Sequence, residues 1–223
     1  MSDSGGKGYT KEKKSLMTQE QMMELLEKCY DGAMEGLPGM PSCKALAEEY
    51  LGRHSTPEIA ARQMVNNQIA KCTTSGFLTG LGGLITLPVA IPANVASVLY
   101  VQMRMIGALA VMGGYDLKDD EVQTLVYLCL VKTSIADVCK SAGVQVANKL
   151  TLGLLKKLPG TVLTKINQKV GFRLLTKFGE KGVINLVKLV PVAGGIVGGA
   201  VDFAGTRSIA VKAEKVFLQG EIE

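Results

Sequence analysis

The chain has 223 residues, 47% of them apolar, enough to close a real core as one domain rather than remain an extended polar chain. It has no Trp, 5% aromatic residues and 26 glycines, which excludes an aromatic core and calls for aliphatic packing with close backbone approach. Its net charge of +5 hides a polarity along the chain: residues 18–70 carry eight acidic and four basic side chains, residues 140–188 one acidic and ten basic.

The opening stretch, MSDSGGKGYTKEKKSLM, has no apolar core of the signal-peptide kind and reads as a disordered polar arm over residues 1–17. From Thr18 the pattern becomes helical. Thr18 and Gln21 have capping-box spacing, and Met22, Leu25, Leu26, Cys29 and Ala33 recur at helical period up to Gly36. LPGMP at 37–41 is a turn, after which Ser42 caps a short helix ending near Gly52. Ser55 and Thr56 before Pro57 and Glu58 start another helix, running through Ala61, Val65, Ile69 and Cys72.

Residues 72–103 carry no formal charge. A single membrane-crossing helix needs about 20 apolar residues, but Pro88, Pro92 and Asn94 divide this run, and proline breaks a helix by removing a donor and clashing with the preceding turn. A bent hydrophobic hairpin over about 76–112 is expected instead. Gly76, Gly80 and Gly83 give its first arm a nearly bare face for close helix packing. Its second arm runs from about Ala93 to Met112, stops at Gly113 and Gly114, and holds one charge, Arg104. Asp116 is placed to cap a following helix over 119–140, whose body VQTLVYLCLV is apolar nearly all round and belongs inside a bundle or in lipid.

Beyond Gly143 the helices shorten and turn basic. Val162, Ile166, Val170, Leu174 and Phe178 form one stripe; Lys165, Lys169, Arg173, Lys177 and Lys181 form another beside it, preceded by Lys156 and Lys157. These seven cations are the candidate contact for an anionic surface, with lysines reaching headgroups while the apolar stripe enters the interface. The plainer reading is a solvated face on a core-packed helix. Nucleic acid is not expected, since stacking aromatics and recognisable binding motifs are scarce. The last helix, over 192–218, opens after Pro191 with Gly194, Gly195, Gly198 and Gly199 in two overlapping GxxxG steps, again read as close packing. Neither glycine cluster fits a dinucleotide or phosphate loop.

Arg104, Asp137 and Asp202 lie among uncharged neighbours, where an unpaired charge costs several kcal/mol. The expectation is a buried pair of Arg104 with Asp137 or Asp202, Arg207 being a further partner. Catalysis has no visible seat: His54 stands alone in the polar loop GRHST, there is no G-x-S-x-G elbow, and no metal-ligand spacing. The five cysteines, Cys29, Cys43, Cys72, Cys129 and Cys139, form no CxxC pair and read as reduced, buried thiols of a cytoplasmic protein. No catalytic residue, metal or cofactor is assigned.

GFLTGLGGLITLPVAIPANVASVLYVQMRMIGALAVMGGYDL and NQKVGFRLLTKFGEKGVINLVKLVPVAGGIVGGAVDFAGTRSIAVKAEKVF together resemble the EcsC family, over roughly residues 60–217. The resemblance implies a bacterial, helical, apolar protein suspected of working at the membrane, accessory to an ABC transporter of the kind encoded beside the founding member. It brings no catalytic residues. One departure is Lys132 in LCLVKTS, where a small residue is expected. The reading is thus an all-α, single-domain bundle over 18–219 with a buried Gly-rich hairpin. In function it is a non-enzymatic protein, cytoplasmic and peripheral to the inner membrane, that binds anionic lipid or a membrane protein through its basic helices. A membrane-inserting, pore-forming-like protein that exposes the hairpin is the first alternative. A small-molecule or lipid-binding enzyme with an unrecognised site is the second.

Overall fold

The computed structural model describes residues 17–72, 93–145, 152–178 and 194–222; side chains are described for all of these except 71–72, 93–94 and 194–204. The first three helices each begin at a hydroxyl that accepts a hydrogen bond from the helix's own first turn, satisfying a donor that has no partner within the helix. Thr18 accepts from Gln21 N at 3.2 Å and opens α1 (Gln19–Glu35), and the Gln21 side chain returns to Thr18 N at 2.8 Å, completing the capping box. Ser42 accepts from Ala45 N and opens α2 (Cys43–Leu51), while Thr56 accepts from Ile59 N ahead of α3 (Pro57–Cys72). Between α1 and α2 the LPGMP turn closes on two backbone bonds between Leu37 and Met40. Gly36 is at φ +83°, and a Cβ there would run into Ser42 N, so only glycine ends α1 this way.

α4 (Ala93–Met112) is the axle of the molecule, touching α1, α2 and α3 on the N-terminal side and two later helices, α5 (Asp120–Cys129) and α9 (Gly194–Leu218). From Val95 to Met112 every side chain is buried except the half-buried Val98 and Val111. This segment is long and apolar enough to cross a membrane, yet 89% of it is covered by the rest of the chain. Being apolar on all sides it must be surrounded, and helices supply the surround. The Gly-rich first arm, with Gly76, Gly80, Gly83, Leu81, Ile85 and the bend at Pro88 and Pro92, lies outside the described residues. At the other end Gly113 lets the chain pass α9, since a Cβ on it would collide with the carbonyl oxygen of Phe217. Gln102 and Thr206, both buried, are bonded across the same α4–α9 contact at 3.0 Å.

Two expectations change here. The helix expected over 119–140 is two helices, α5 and α6 (Ile135–Ser141), separated by the bend at 130–134. Ser134 caps α6 by accepting from Asp137 N. Asp116 does not cap α5. Its carboxylate accepts from Lys118 N in a tight turn, and Asp119 takes the cap position without a side-chain bond. The short α7 (Leu152–Leu155) leads into α8 (Gly160–Phe178), which lies against α1, α5 and α6. The fold is all-α; among the described residues no strand forms, and a lone backbone bridge links Leu37 and Met40.

Candidate functional site

α8 buries Leu163, Ile166, Val170, Leu174 and Phe178, so the apolar stripe faces the core, with Val162 half-buried. This corrects the expectation that the stripe enters a lipid interface: at roughly 1.5–3 kcal/mol for each fully buried side chain, its place under α1 and α5 is the stronger claim on it. Lys165 and Lys169 are exposed on the outer face and make no ion pair among the described residues. Between them and Thr176 projects Phe172, 55% exposed, one of three large apolar side chains in the open among the described residues. α8 contains no acidic residue.

The other members of the expected basic surface fare differently. Lys157 is exposed, and Lys156 reaches Asp119 at 3.4 Å. Lys177 is exposed and stands 4.6 Å from the centre of the Phe178 ring. Arg173 is half-buried and turned inward, where Nη1 donates to Thr133 Oγ1 at 2.6 Å. Lys181 is outside the described residues.

The expected charge lock does not form with Asp137. Arg104 is 4% exposed on α4, whereas Asp137 is exposed on α6, and no ion pair joins them. Arg207 is also exposed and donates to Asn66 at 2.9 Å. The side chain of Asp202 lies outside the described residues. Arg104 Nε has no hydrogen-bond partner there, and the guanidinium acts on the neighbouring Tyr100 and Cys43. Burial raises both acids; Arg104 partly opposes it at Tyr100, and at Cys43 the backbone N–H groups of Lys44 and Cys43 do so ahead of Arg104, leaving Tyr100 at about 12 and Cys43 at about 11. Gly194, Gly195, Gly198 and Gly199 fall in the first turns of α9. Close approaches between helices are seen at Gly113, at Gly107, where Cys43 packs on the bare backbone, and at Gly171 of α8, where a Cβ would run into Met23 Sδ of α1.

Two features carried no signal in the pattern of residues. Lys212, in SIAVKAEKVF, has the spacing of a solvated lysine, yet Nζ donates to three carbonyls, Leu128 and Thr133 at 2.9 Å and Val131 at 3.1 Å. It ties α9 to the end of α5 and holds the 130–134 bend that splits the expected long helix. Burial, and then the nearby Arg173 charge, lower its pKa, while Cys129 and Cys139 act in the opposite sense. Lys132 stands exposed in this bend, beside a cavity of about 320 Å³.

The second feature is a cleft of about 210 Å³ between α1, α5 and α8. Glu27, Asp120, Thr124, Tyr127, Thr164 and Asn167 supply its polar lining. Thr124 is fully buried and its hydroxyl has no partner among the described residues; Asn167 Oδ1 is likewise buried and unpartnered among them. Leaving such an atom dry costs about 1–3 kcal/mol. Burial, and next the Glu27 carboxylate, push the Tyr127 phenol far above its ordinary value, which sets Glu27 close to that ring. Among the described residues no cluster of His, Cys, Asp and Glu could hold a metal ion.

The EcsC protein family model matches residues 5–219. The chain belongs to the EcsC family. The family match takes in α1 and α2, which the two segments quoted from the sequence did not reach. The EcsC chain is also 31% identical over 143 residues to the uncharacterized protein YdbA of Bacillus subtilis (strain 168), covering 64% of this chain and 49% of that one. It therefore spans about half the length of that relative. No solved structure matches it.

Proposed function

We propose that this EcsC chain is a peripheral membrane-binding protein that meets anionic lipid with the outer face of α8. What supports the reading is Phe172, exposed on a helix face that carries Lys165 and Lys169 and no acid. An aromatic ring left in water beside lysines is the composition of an interfacial helix: the ring enters the acyl boundary and the lysines reach phosphates. Each lysine near such a surface contributes about 1 kcal/mol, and a half-exposed Phe ring adds on the order of 1 kcal/mol. Together with Lys157 and Lys177 at the margins, the sum is a weak, reversible attachment that salt screens.

Vesicle flotation tests this. The full chain is expected to float with phosphatidylglycerol vesicles at low salt, and to stay at the bottom with phosphatidylcholine vesicles or at about 0.5 M salt, where the screening length is only a few ångströms. The Lys165→Glu/Lys169→Glu/Phe172→Ala variant is expected to lose flotation while keeping the melting temperature of the parent. Flotation that only detergent reverses favours the inserting protein instead. A variant that floats like its parent removes α8 as the contact.

A further inference from the structure

The cleft between α1, α5 and α8 lies on the opposite flank of α8 from Lys169, and its chemistry is the reverse of that face. Glu27 and Asp120 stand at its rim, and the hydroxyl of Thr124 and the amide oxygen of Asn167 are buried in its wall with no partner among the described residues. Thr164 already spends its proton on Gly160 O at 3.0 Å, so its oxygen can only accept. Gln123 Nε2 gives one of its two protons to Tyr127 Oη at 3.1 Å. Among the described residues no lysine or arginine lines the space. In a chain of net charge +5, this pocket offers two carboxylates and several acceptor oxygens. Among the described residues no group of three or more His, Cys, Asp and Glu gathers there for a metal ion. A ligand with several N–H donors and a positive charge satisfies the wall and the rim together.

We infer that this cleft is a binding site for a primary ammonium group, either a free alkylamine or the amine of a phosphatidylethanolamine headgroup. The ammonium carries three donors in a fixed fan, one for each side of the cleft: a rim carboxylate, Asn167 Oδ1 and Thr124 Oγ1. About 210 Å³ equals the liquid volume of roughly seven waters, enough for the ammonium and a short carbon stem. The inference does not depend on α8 reaching a membrane.

Isothermal titration of the full chain with ethanolamine hydrochloride, against sodium chloride at equal ionic strength, is the test. Saturable binding is expected, weakened at least tenfold in Glu27→Gln, an exposed position, and in Thr124→Val, which keeps the side-chain shape. Tetramethylammonium, which has no N–H donor, is expected not to compete. Binding of free ethanolamine alone supports the site with a soluble amine as its ligand; retention on vesicles in proportion to their phosphatidylethanolamine content, lost in Glu27→Gln, supports it with the headgroup. No heat beyond the chloride control, or heat of the same size in parent and both variants, overturns the site.

Discussion

α4 and α8 are nearly equal in length, 20 and 19 residues, yet they meet opposite surroundings. α4 is covered on every side by five other helices and holds one charge; α8 is covered on one side and presents lysines and a bare phenylalanine on the other. The difference teaches that hydrophobic length alone does not decide between lipid and core. α4 is apolar enough for a bilayer, and in this structure it is covered instead by amphipathic helices that have their own apolar stripes to bury against it. α8 could not span anything, but it is the helix whose exposed face a membrane surface would suit.

The contrast can be broken most severely with alkali. Burial around α4 and α5 pushes Cys29 and Cys129 up to about 12 and Cys43 and Cys139 up to about 11. An unfolded thiol ionises near 8.5. Above that pH the unfolded chain has released these protons and the folded chain has not, so stability is whole below about pH 8.5 and falls as pH rises. Each thiol takes away about 1.4 kcal/mol per pH unit. Lys212 works the other way, because its lowered pKa lets the folded state lose a proton first and gain stability in its own alkaline window. One such group does not offset four. Loss of the helical circular dichroism signal between about pH 9 and 11 is expected; a chain unchanged at pH 11 would put the thiols in water.

Truncating the axle comes next. Ile106 is fully buried in the middle of α4, and Ile106→Ala is expected to cost about 2–5 kcal/mol in chemical denaturation. Lys212→Met, which leaves three carbonyls without their donor, is expected to cost about 2–3 kcal/mol. The same midpoint as the parent would mean that water replaces the ammonium at no cost. The smallest effect belongs to α8: Phe172→Ala alone is expected to move stability by less than about 0.5 kcal/mol while weakening flotation with anionic vesicles. A large loss of stability there would mean that Phe172 is core and the proposed face is not free.

Much of the helical plan was legible because its signals are local. Thr18 with Gln21, Ser42, and Thr56 before Pro57 mark helix starts by hydrogen bonds that span three residues, and Gly113 with Gly114 marks a stop. Where the reading failed, the deciding partner was distant in sequence. The helix expected over 119–140 bends because Lys212 and Arg173 grip the carbonyls and hydroxyl of 128–133, and neither lies near that segment in the chain. Arg104 is legible as a charge in an apolar helix, but a pairing with Asp137 rests on hydropathy alone, and the bend turns Asp137 outward. The ammonium cleft was invisible for the same reason. Glu27, Thr124 and Asn167 are unremarkable on their own helices and become a site only when three helices meet.

What the amino-acid order determined by itself was the all-α class, the ends of most helices and the division into apolar and basic stretches, because capping and periodicity act over one or two turns. Only the tertiary structure decided which apolar face meets which, that Lys212 is a structural tie rather than a solvated charge, and where polar groups stay without partners. Those outcomes depend on contacts between residues a hundred or so apart, for which a linear pattern holds no distance.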